Sequence, residues 1–375
     1  MKAIPFNRPT LPPWEVVGRA FESFYGTGML TNGPLVRQLE LEARDLLRTG
    51  EAVALASCTS GLMLVLRCLG VRGKVALPSF TFFATAHAAA WNGLEPVFVD
   101  IDPETWNIDP ACLERACREE GVAAALAVHV FGNPCETAAL ERVAAEHGIP
   151  LVFDSAHALG AKVGDSPVGG FGDAEVFSLS PTKLAVAGEG GIVTTGDAGL
   201  AERLRAARDY GNAGDYDPEV IGLNARMSEF HAALGVESLR LLELNVRRRN
   251  RVAERYRRNL EEVPGVSFQR VTPGCRSSFK DVTILVRREE FGLSRDELAD
   301  FLAREGIDTR RYYWPPVHRT RAYWERWGRA CDERLPVTSF VSENALSLPV
   351  WSHMDLETVD LVCEKVVQAR RRPEL

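Results

Sequence analysis

The sequence contains no uninterrupted apolar run that approaches the roughly 18–20 residues needed for a membrane-spanning helix. Its opening segment, MKAIPFNRPTLPPWE, also lacks the apolar region of a secretory signal peptide, so none is expected. Basic residues are in deficit, with 44 Lys and Arg against 51 Asp and Glu and a net charge of −7. Because nucleic-acid backbones are bound through a positive field, we expect neither a nucleic acid nor a membrane as partner.

Paired cysteine motifs are missing as well. The eight cysteines are scattered, without a C-x-x-C pair and without histidines at the spacing of a zinc site. We interpret them as buried thiols, which indicates a reducing, cytoplasmic location. No metal site is predicted.

A dinucleotide-binding fingerprint cannot be found. It requires G-x-G-x-x-G between a strand and a helix, with an acidic residue about 20 positions later. The glycine-rich segment GEGGIVTTG at 188–196 is followed by a strand pattern, and VGGFGD at 168–173 fits no better. A nicotinamide enzyme is therefore the weaker alternative.

The residues that are present describe a soluble α/β protein. The chain has 375 residues, 46% hydrophobic and 25% charged, which suggests about two globular domains. From residue 51 to 195, short apolar runs alternate with helical patterns. The runs lack polar alternation, which predicts strands buried on both faces of a mostly parallel sheet. The predicted strands are 52–57, 74–78, 95–100, 123–131 and 150–154, and the predicted helices are 60–70, 84–91, one starting at 110, and 137–147.

The pattern changes in the last third of the chain. Residues from Leu200 to about Glu262 are expected to be helical, and strands are predicted at 266–270 and 280–287. A helix over 294–306 begins with a capping box formed by Ser294 and Glu297, and a last helix covers about 355–369. We therefore predict a large domain over 1–240 and a small α+β domain over 241–375.

One stretch is strongly basic. Residues 247–258, RRRNRVAERYRR, hold seven arginines against one glutamate. A solvated helix face explains the pattern, and a basic wall against an anionic ligand is the alternative.

Three features of the sequence indicate a cofactor site. The segment CTSG at 58–61 lies between a strand and a helix, where the Thr59 and Ser60 hydroxyls and helix N–H groups can bind phosphate, although both residue types are also ordinary helix caps. Asp154 ends an apolar strand, where a carboxylate needs a charged or donor partner. Lys183 follows 29 residues later among small and apolar residues, which favours an uncharged, nucleophilic amine. A carboxylate for a pyridinium nitrogen, a Schiff-base lysine and a phosphate cradle are the minimum set of a pyridoxal phosphate enzyme.

Longer segments, distributed over nearly the whole chain, carry a resemblance. They are IPFNRP (4–9), LTNGP (30–34), SCTSGL (57–62), PSFTFFATAHA (78–88), PVFVDIDPETWNID (96–109), VHVFGNP (128–134), FDSAHALGA (153–161), FSLSPTK (177–183), GEGG (188–191), GLNARMSEFHAALG (222–235) and YYWPPVH (312–318). In this order they resemble the DegT/DnrJ/EryC1/StrS family of pyridoxal-phosphate-dependent nucleotide-sugar aminotransferases. The resemblance implies an aspartate aminotransferase-like (type I) fold, with a mostly parallel mixed sheet in the large domain.

The resemblance also implies the roles of individual residues. Lys183 matches the Schiff-base lysine and Asp154 the acid on the pyridine nitrogen, and both are the expected catalytic residues. His157 matches the partner of the ring hydroxyl, and Phe82 the aromatic that stacks on the cofactor ring. The residues that match phosphate ligands are Thr59, Ser60 and Ser178, together with Asn224, which would reach the phosphate bound by the neighbouring subunit of a homodimer.

Substrate and donor follow from the same resemblance. It implies a nucleotide-linked keto-sugar as amino acceptor and glutamate as amino donor. We lean towards dTDP-4-keto-6-deoxyglucose aminated at C4; a C3 ketone, a keto-inositol and a non-catalytic regulator stay open. The residues expected at the sugar-nucleotide pocket are Thr31, Arg226, Tyr313 and His318.

The chain departs from the family pattern before one predicted strand, and Glu189 has two possible roles. The family often has an aromatic residue and a histidine just before the strand equivalent to 282–286, whereas this chain has Phe279, Lys280 and Asp281. Glu189, in GEGG, either caps a turn or has a functional role.

Family members that replace the Schiff-base lysine are dehydratases, so the presence of Lys183 argues against that branch.

Overall fold

The computed structural model describes residues 3–371 of the chain. In chain order the strands are β1 (Glu51–Leu55), β2 (Lys74–Pro78), β3 (Glu95–Val99), β4 (Ala124–Val128), β5 (Leu151–Asp154), β6 (Lys162–Val163), β7 (Ser166–Pro167), β8 (Ala174–Ser178), β9 (Gly191–Thr195), β10 (Val266–Phe268), β11 (Cys275–Arg276), β12 (Val282–Val286) and β13 (Ala345–Leu348). The main sheet has the spatial order β1-β9-β8-β5-β4-β2-β3, and two three-stranded sheets have the orders β10-β12-β13 and β11-β6-β7. Strand β9 is antiparallel to β1 and β8, while the remaining pairings of the main sheet are parallel. The expected mostly parallel mixed sheet is confirmed.

Helices cover both faces of the main sheet and complete the C-terminal part. They are α1 (Trp14–Tyr25), α2 (Pro34–Leu47), α3 (Cys58–Cys68), α4 (Ala84–Trp91), α5 (Pro110–Glu120), α6 (Thr137–His147), α7 (Ala198–Ala207), α8 (Glu229–Arg240), α9 (Leu242–Leu260), α10 (Arg288–Phe291), α11 (Arg295–Arg304), α12 (Pro336–Asn344) and α13 (Leu356–Arg370). The predicted bounds of α4 and α6 coincide with the observed ones. Among residues 3–371, no helix combines the length and the apolar character needed to cross a membrane.

The main sheet is buried on both faces, as its unbroken apolar strands predicted. In β1, Val53 and Leu55 pack into one hydrophobic cluster, whereas Ala52 and Ala54 pack into another. Every residue of β4, β8 and β9 is buried. Because strand side chains alternate between faces, most positions of these strands are apolar. The buried Glu175 of β8 is satisfied by the Ser155 hydroxyl and the Gly169 N–H, which both donate to its carboxylate.

The C-terminal antiparallel sheet has a hydrophobic cluster of its own. Residues of α9, β12, α11, β13 and α13 contribute to it, among them Tyr256, Ile284, Leu298, Leu346 and Val362. The capping box of α11 is confirmed, since the Ser294 hydroxyl and the Glu297 carboxylate each bond the other residue's backbone. The predicted domain boundary falls between α8 and α9, and the division itself stays a prediction.

The expectation of continuous helix over 200–262 is wrong for the stretch between α7 and α8. Residues 208–228 form turns and an irregular segment. This stretch contains Gly211, Gly214 and Pro218, and the backbone of Tyr210 and Tyr216 takes positive φ angles, which a helix does not allow.

The cysteines and the basic stretch differ in part from expectation. All eight cysteines are free, but Cys112 and Cys275 are only half-buried. The arginines of 247–258 lie on α9 and do not share one environment. Arg249 is buried and donates to the carbonyl of Lys280, whereas Arg255 forms a half-exposed ion pair with Asp360.

Candidate active site

The predicted cofactor residues lie where parallel strands of the main sheet end. Asp154 is the last residue of β5, and Ser178 is the last residue of the neighbouring strand β8. Strand β1 runs in the same direction as β8, because each is antiparallel to β9. Helix α3 begins at Cys58, shortly after β1. The carboxyl edge of a parallel sheet is where α/β folds place their sites.

An inner cavity of about 370 Å³ opens at this edge. Six of the predicted cofactor residues line it: Thr59, Phe82, Asp154, His157, Ser178 and Lys183. The structure therefore brings together most of the residues expected to bind the cofactor, although they come from four separate segments of the chain.

Two hydrogen bonds fix the Asp154 carboxylate. Its Oδ2 accepts from the Thr85 hydroxyl at 2.7 Å, and its Oδ1 accepts from the Ala156 N–H at 3.1 Å. Burial raises the pKa of Asp154, while these bonds and the Lys183 cation oppose the increase. The carboxylate is thus oriented in a dry site, where a cationic partner binds it strongly.

The Lys183 amine lies in the same cavity. Its segment turns after β8, with the Lys183 N–H bonded to the Ser180 carbonyl. Burial lowers the pKa of Lys183 to about 8, and the Lys280 cation acts in the same direction. Asp281, Cys58 and Asp154 favour the protonated form but do not outweigh these effects. At pH 7 about a tenth of the amine is uncharged and able to attack a carbonyl.

This pKa can be tested on the cofactor-free enzyme. Acetic anhydride labelling at a series of pH values, followed by peptide mass spectrometry, should show Lys183 becoming reactive with a midpoint near pH 8. Unperturbed lysines titrate near 10.4, and Lys162, a half-buried lysine outside both cavities, is the internal control of the same sample. A midpoint for Lys183 near that of ordinary lysines would contradict the desolvated environment.

His157 is the second nitrogen base of the inner cavity. Its Nδ1 is buried without a hydrogen-bond partner, and its ring stacks at 10° to that of Phe131. Burial lowers the pKa of His157 well below its usual range, with Lys183 and Lys280 contributing. The imidazole is therefore neutral, and its unpartnered nitrogen is available to a polar group of a bound molecule.

Hydroxyl groups line one end of the inner cavity. The predicted residues Thr59 and Ser178 are joined there by Ser180 and Thr182, which the sequence reasoning missed. Ser60 does not line the cavity, because its hydroxyl donates to the Ser57 carbonyl at 2.8 Å within the cap of α3. Its role as a phosphate ligand stays a prediction that would require this hydroxyl to turn.

A larger outer cavity of about 600 Å³ adjoins the inner one. We define it by Phe82, Arg310, Arg311, Tyr313 and Trp314, which line it. Phe82 and Tyr313 face both cavities, so a molecule in the outer cavity can reach the inner one between them. Tyr313 was expected at the sugar-nucleotide pocket; it lines both cavities, and its contact with substrate stays a prediction.

The structure places His318 away from both cavities. The ring is fully buried, with Nδ1 2.6 Å from the Ser79 hydroxyl and Nε2 2.9 Å from the Asp332 carboxylate. Asp332 also pairs with Arg319. A contact with substrate would require His318 to leave one of these partners.

Three other predicted residues lie together outside both cavities: Thr31, Asn224 and Arg226. Thr31 forms a β-bridge with Ser228, four residues beyond Asn224. Asn224 is exposed, and Arg226 donates to the Asp209 carboxylate at 2.6 Å. None of the three lines the inner or the outer cavity of this chain.

Comparison with known proteins identifies the family. The model of the DegT/DnrJ/EryC1/StrS aminotransferase family matches residues 17–367. The chain belongs to this family. It is a sugar aminotransferase of the pyridoxal-phosphate-dependent type, and the fold and family expected from the sequence are confirmed.

Individual relatives in the DegT/DnrJ/EryC1/StrS family are similar over most of their length. The dTDP-4-amino-4,6-dideoxy-D-glucose transaminase of Shigella dysenteriae is 32% identical over 97% of this chain and 98% of its own. A pleiotropic regulatory protein of Geobacillus stearothermophilus is 34% identical over 90% of each chain. The crystal structure of DesI in the presence of its TDP-sugar product has 35% identity, a TM-score of 0.93, and coverage of 100% of this chain and 95% of its own.

The residues of the inner cavity fit the cofactor of the DegT/DnrJ/EryC1/StrS family. The orphaned nitrogen of His157 suits a ring hydroxyl, the oriented carboxylate of Asp154 suits a pyridinium nitrogen, and the hydroxyl-rich end suits a phosphate. Among residues 3–371, no group of three or more His, Cys, Asp or Glu side chains is arranged to hold a metal.

Sequence reasoning missed Thr85 and Lys280 at this site. Thr85 was recognisable as a hydroxyl in the otherwise apolar α4, since a buried hydroxyl needs a partner. Lys280 was noted as a departure from the family pattern, but its position in the inner cavity depends on the fold.

Proposed function

We propose that this enzyme transfers the amino group of L-glutamate to C4 of dTDP-4-keto-6-deoxyglucose, in the cytoplasm, with pyridoxal phosphate as cofactor. The inner cavity carries the proposal, because it joins a lysine of lowered pKa, an oriented carboxylate and a neutral histidine. The names of the Shigella relative and of the DesI structure support a dTDP-linked substrate. The free thiols support a reducing compartment.

Pyridoxal phosphate supplies an aldehyde that captures amines and a ring that accepts electrons. Lys183 would provide the amine that holds the cofactor and would move the proton at the α-carbon of the donor. Asp154 would hold a proton on the ring nitrogen by charge. His157 would hydrogen-bond the ring hydroxyl, and Phe82 would pack on the ring. Thr59 and Ser178 would bind the phosphate.

The outer cavity is the proposed place of the nucleotide sugar. Arg310 and Arg311 line it and can approach a diphosphate, while Phe82 and Trp314 offer faces on which a sugar or base can stack. Arg310 pairs with Asp308, and Arg311 pairs with Asp296 and Asp300. The sugar carbonyl would then enter the inner cavity beside Tyr313.

A substrate panel tests the function. The purified enzyme, with cofactor and 15N-labelled glutamate, should transfer the label to C4 of the dTDP-linked 4-keto-6-deoxyglucose, as mass spectrometry and NMR of the product would show. A C3-keto-sugar or a keto-inositol as the preferred acceptor would replace the proposed substrate. Absence of transfer to every acceptor would favour the second candidate, a regulator, for which the name of the Geobacillus relative is the supporting observation.

We further propose a homodimer with shared active sites. Asn224 is absent from the cavity of its own chain, which is the position expected of a residue that completes the site of a partner. Exposed apolar side chains lie near Thr31 and Asn224 in the sequence: Met29, Leu30 and Ile221. Such residues are typical of a surface that is covered in the assembly.

Mixed dimers test the sharing of sites. Lys183→Ala and Asn224→Asp are each expected to be inactive as homodimers. In a two-fold dimer, one site of the mixed species carries both lesions and the other carries neither. Purified mixed dimers should therefore regain about half of the wild-type activity, measured per dimer. Verified mixed dimers without activity would mean that each chain builds its own site.

A further inference from the structure

Lys280 is a charged residue of the inner cavity to which the functions above assign no role. It precedes β12 and is only 3% exposed, and it lines the same cavity as Lys183 and Asp154. Its ammonium lies 2.9 Å from each carboxylate oxygen of Asp281 and 5.6 Å from the ring centre of Tyr312. Burying such a pair carries a desolvation cost that packing alone does not require.

The backbone holds this ammonium in place. The Lys280 N–H donates to the Phe131 carbonyl at 3.0 Å, and the Lys280 carbonyl accepts from the Arg249 guanidinium at 2.7 Å. Two residues earlier, the Ser278 hydroxyl donates to the His157 carbonyl at 2.6 Å. The segment is thereby joined to the cofactor residue His157, and the position of the lysine is fixed.

Asp281 does not fully neutralise Lys280. Burial lowers the pKa of Arg249 to about 10, and the same carboxylate acts against this lowering, so its charge is shared between two cations. Lys280 in turn lowers the pKa of Lys183, which shows that its field reaches the cavity. An ammonium has three N–H donors, and Asp281 needs two of them. The third is available to a group in the cavity.

We propose that Lys280 binds the carboxylate of the amino donor and of the keto acid formed from it. This inference rests on the proposed function, because an α-amino acid must bring a carboxylate next to the cofactor. Among the described residues that line the inner cavity, Lys183 and Lys280 are the lysines and no arginine is present. Lys183 is committed to the cofactor. Arg310 and Arg311 line the outer cavity, which is the proposed place of the nucleotide sugar.

Three variants test the role of Lys280. Lys280→Met removes the charge at similar length, but leaves Asp281 buried without its partner and can destabilise the fold. The double variant Lys280→Met with Asp281→Asn removes both charges and avoids that defect. Lys162→Met, on β6 and outside both cavities, is the matched control.

The donor half-reaction is the first measurement, since it needs no sugar. Wild-type enzyme with its cofactor is mixed with L-glutamate, and the visible absorbance of the cofactor is followed. Lys280→Met and the double variant should need about 10- to 100-fold more glutamate for half-saturation, because a charge-assisted hydrogen bond is lost. The Lys162→Met control should not change. The half-reaction of the aminated cofactor form with the keto-sugar, which carries no carboxylate, should change less than about threefold by the same reasoning.

Equilibrium binding of glutarate, measured by calorimetry, gives a readout that does not depend on turnover. The Lys280 variants should bind glutarate correspondingly more weakly than wild type. Unchanged glutarate affinity and glutamate half-saturation in a folded double variant would overturn the proposal, even if the pH dependence of the cofactor absorbance shifts. If wild type reacts with glutamate but aminates no sugar, the proposed acceptor fails while the role of Lys280 is still tested.

Discussion

Replacement of Lys183 by alanine is expected to abolish transamination while the chain still folds. The variant loses the amine that holds the cofactor and the base that moves the proton of the donor, so the rate should fall by about 10⁴-fold or more. Steady-state assays with glutamate and the keto-sugar measure this loss. The fold should survive, because the Lys183 N–H still bonds the Ser180 carbonyl and no ion pair is broken.

Lys162→Ala provides the control for this result. Lys162 lies in a two-residue strand, outside both cavities, so its removal should leave the rate within about twofold of wild type, as surface substitutions usually do. Substantial activity in a Lys183→Ala preparation that is free of wild-type enzyme would show that another amine does the chemistry.

Asp154→Asn is expected to bind the cofactor and to lose most of its rate. An amide of the same shape can still accept the bond from Thr85, but it cannot hold a proton on the ring nitrogen by charge. The loss of one well-placed acidic group lowers a rate by about 10²- to 10⁴-fold. The measurement is kcat at saturating cofactor, with cofactor content determined separately by absorbance.

The exposed Asp165, in the turn between β6 and β7, offers the matched substitution Asp165→Asn, which should have no effect. Nearly normal turnover of Asp154→Asn would mean that a different group protonates the ring. Loss of the bound cofactor alone, with normal turnover after its addition, would limit Asp154 to binding.

Local patterns were sufficient for much of the fold and of the cofactor site. Strands buried on both faces are apolar at most positions, and this property located most of the ends of β1 to β5 to within two residues. Asp154 and Lys183 stood out because a charge beside an apolar run needs a reason. Parallel strands then bring these residues to one edge, as the position of Ser178 at the end of β8 illustrates.

What the sequence could not provide depends on contacts between distant segments. The irregular stretch over 208–228 folds back on the end of α7, where the Leu223 N–H donates to the Ala207 carbonyl, and the local pattern does not reveal this contact. His318 belongs to a plausible substrate motif, yet Ser79, 239 residues away, holds its ring. The roles of Thr85 and Lys280 depend on the fold. Thr85 of α4 meets Asp154 of β5, and Lys280, just before β12, meets the turn that carries Lys183.

Borohydride reduction tests most directly whether the inner cavity is the active site. The enzyme with its cofactor is treated with borohydride, which converts a lysine–cofactor bond into a stable amine, and the adduct is mapped by peptide mass spectrometry. We predict one adduct, on Lys183, and none in Lys183→Ala. An adduct on Lys74, Lys162, Lys280 or Lys365 in place of Lys183 would contradict the assignment of the site.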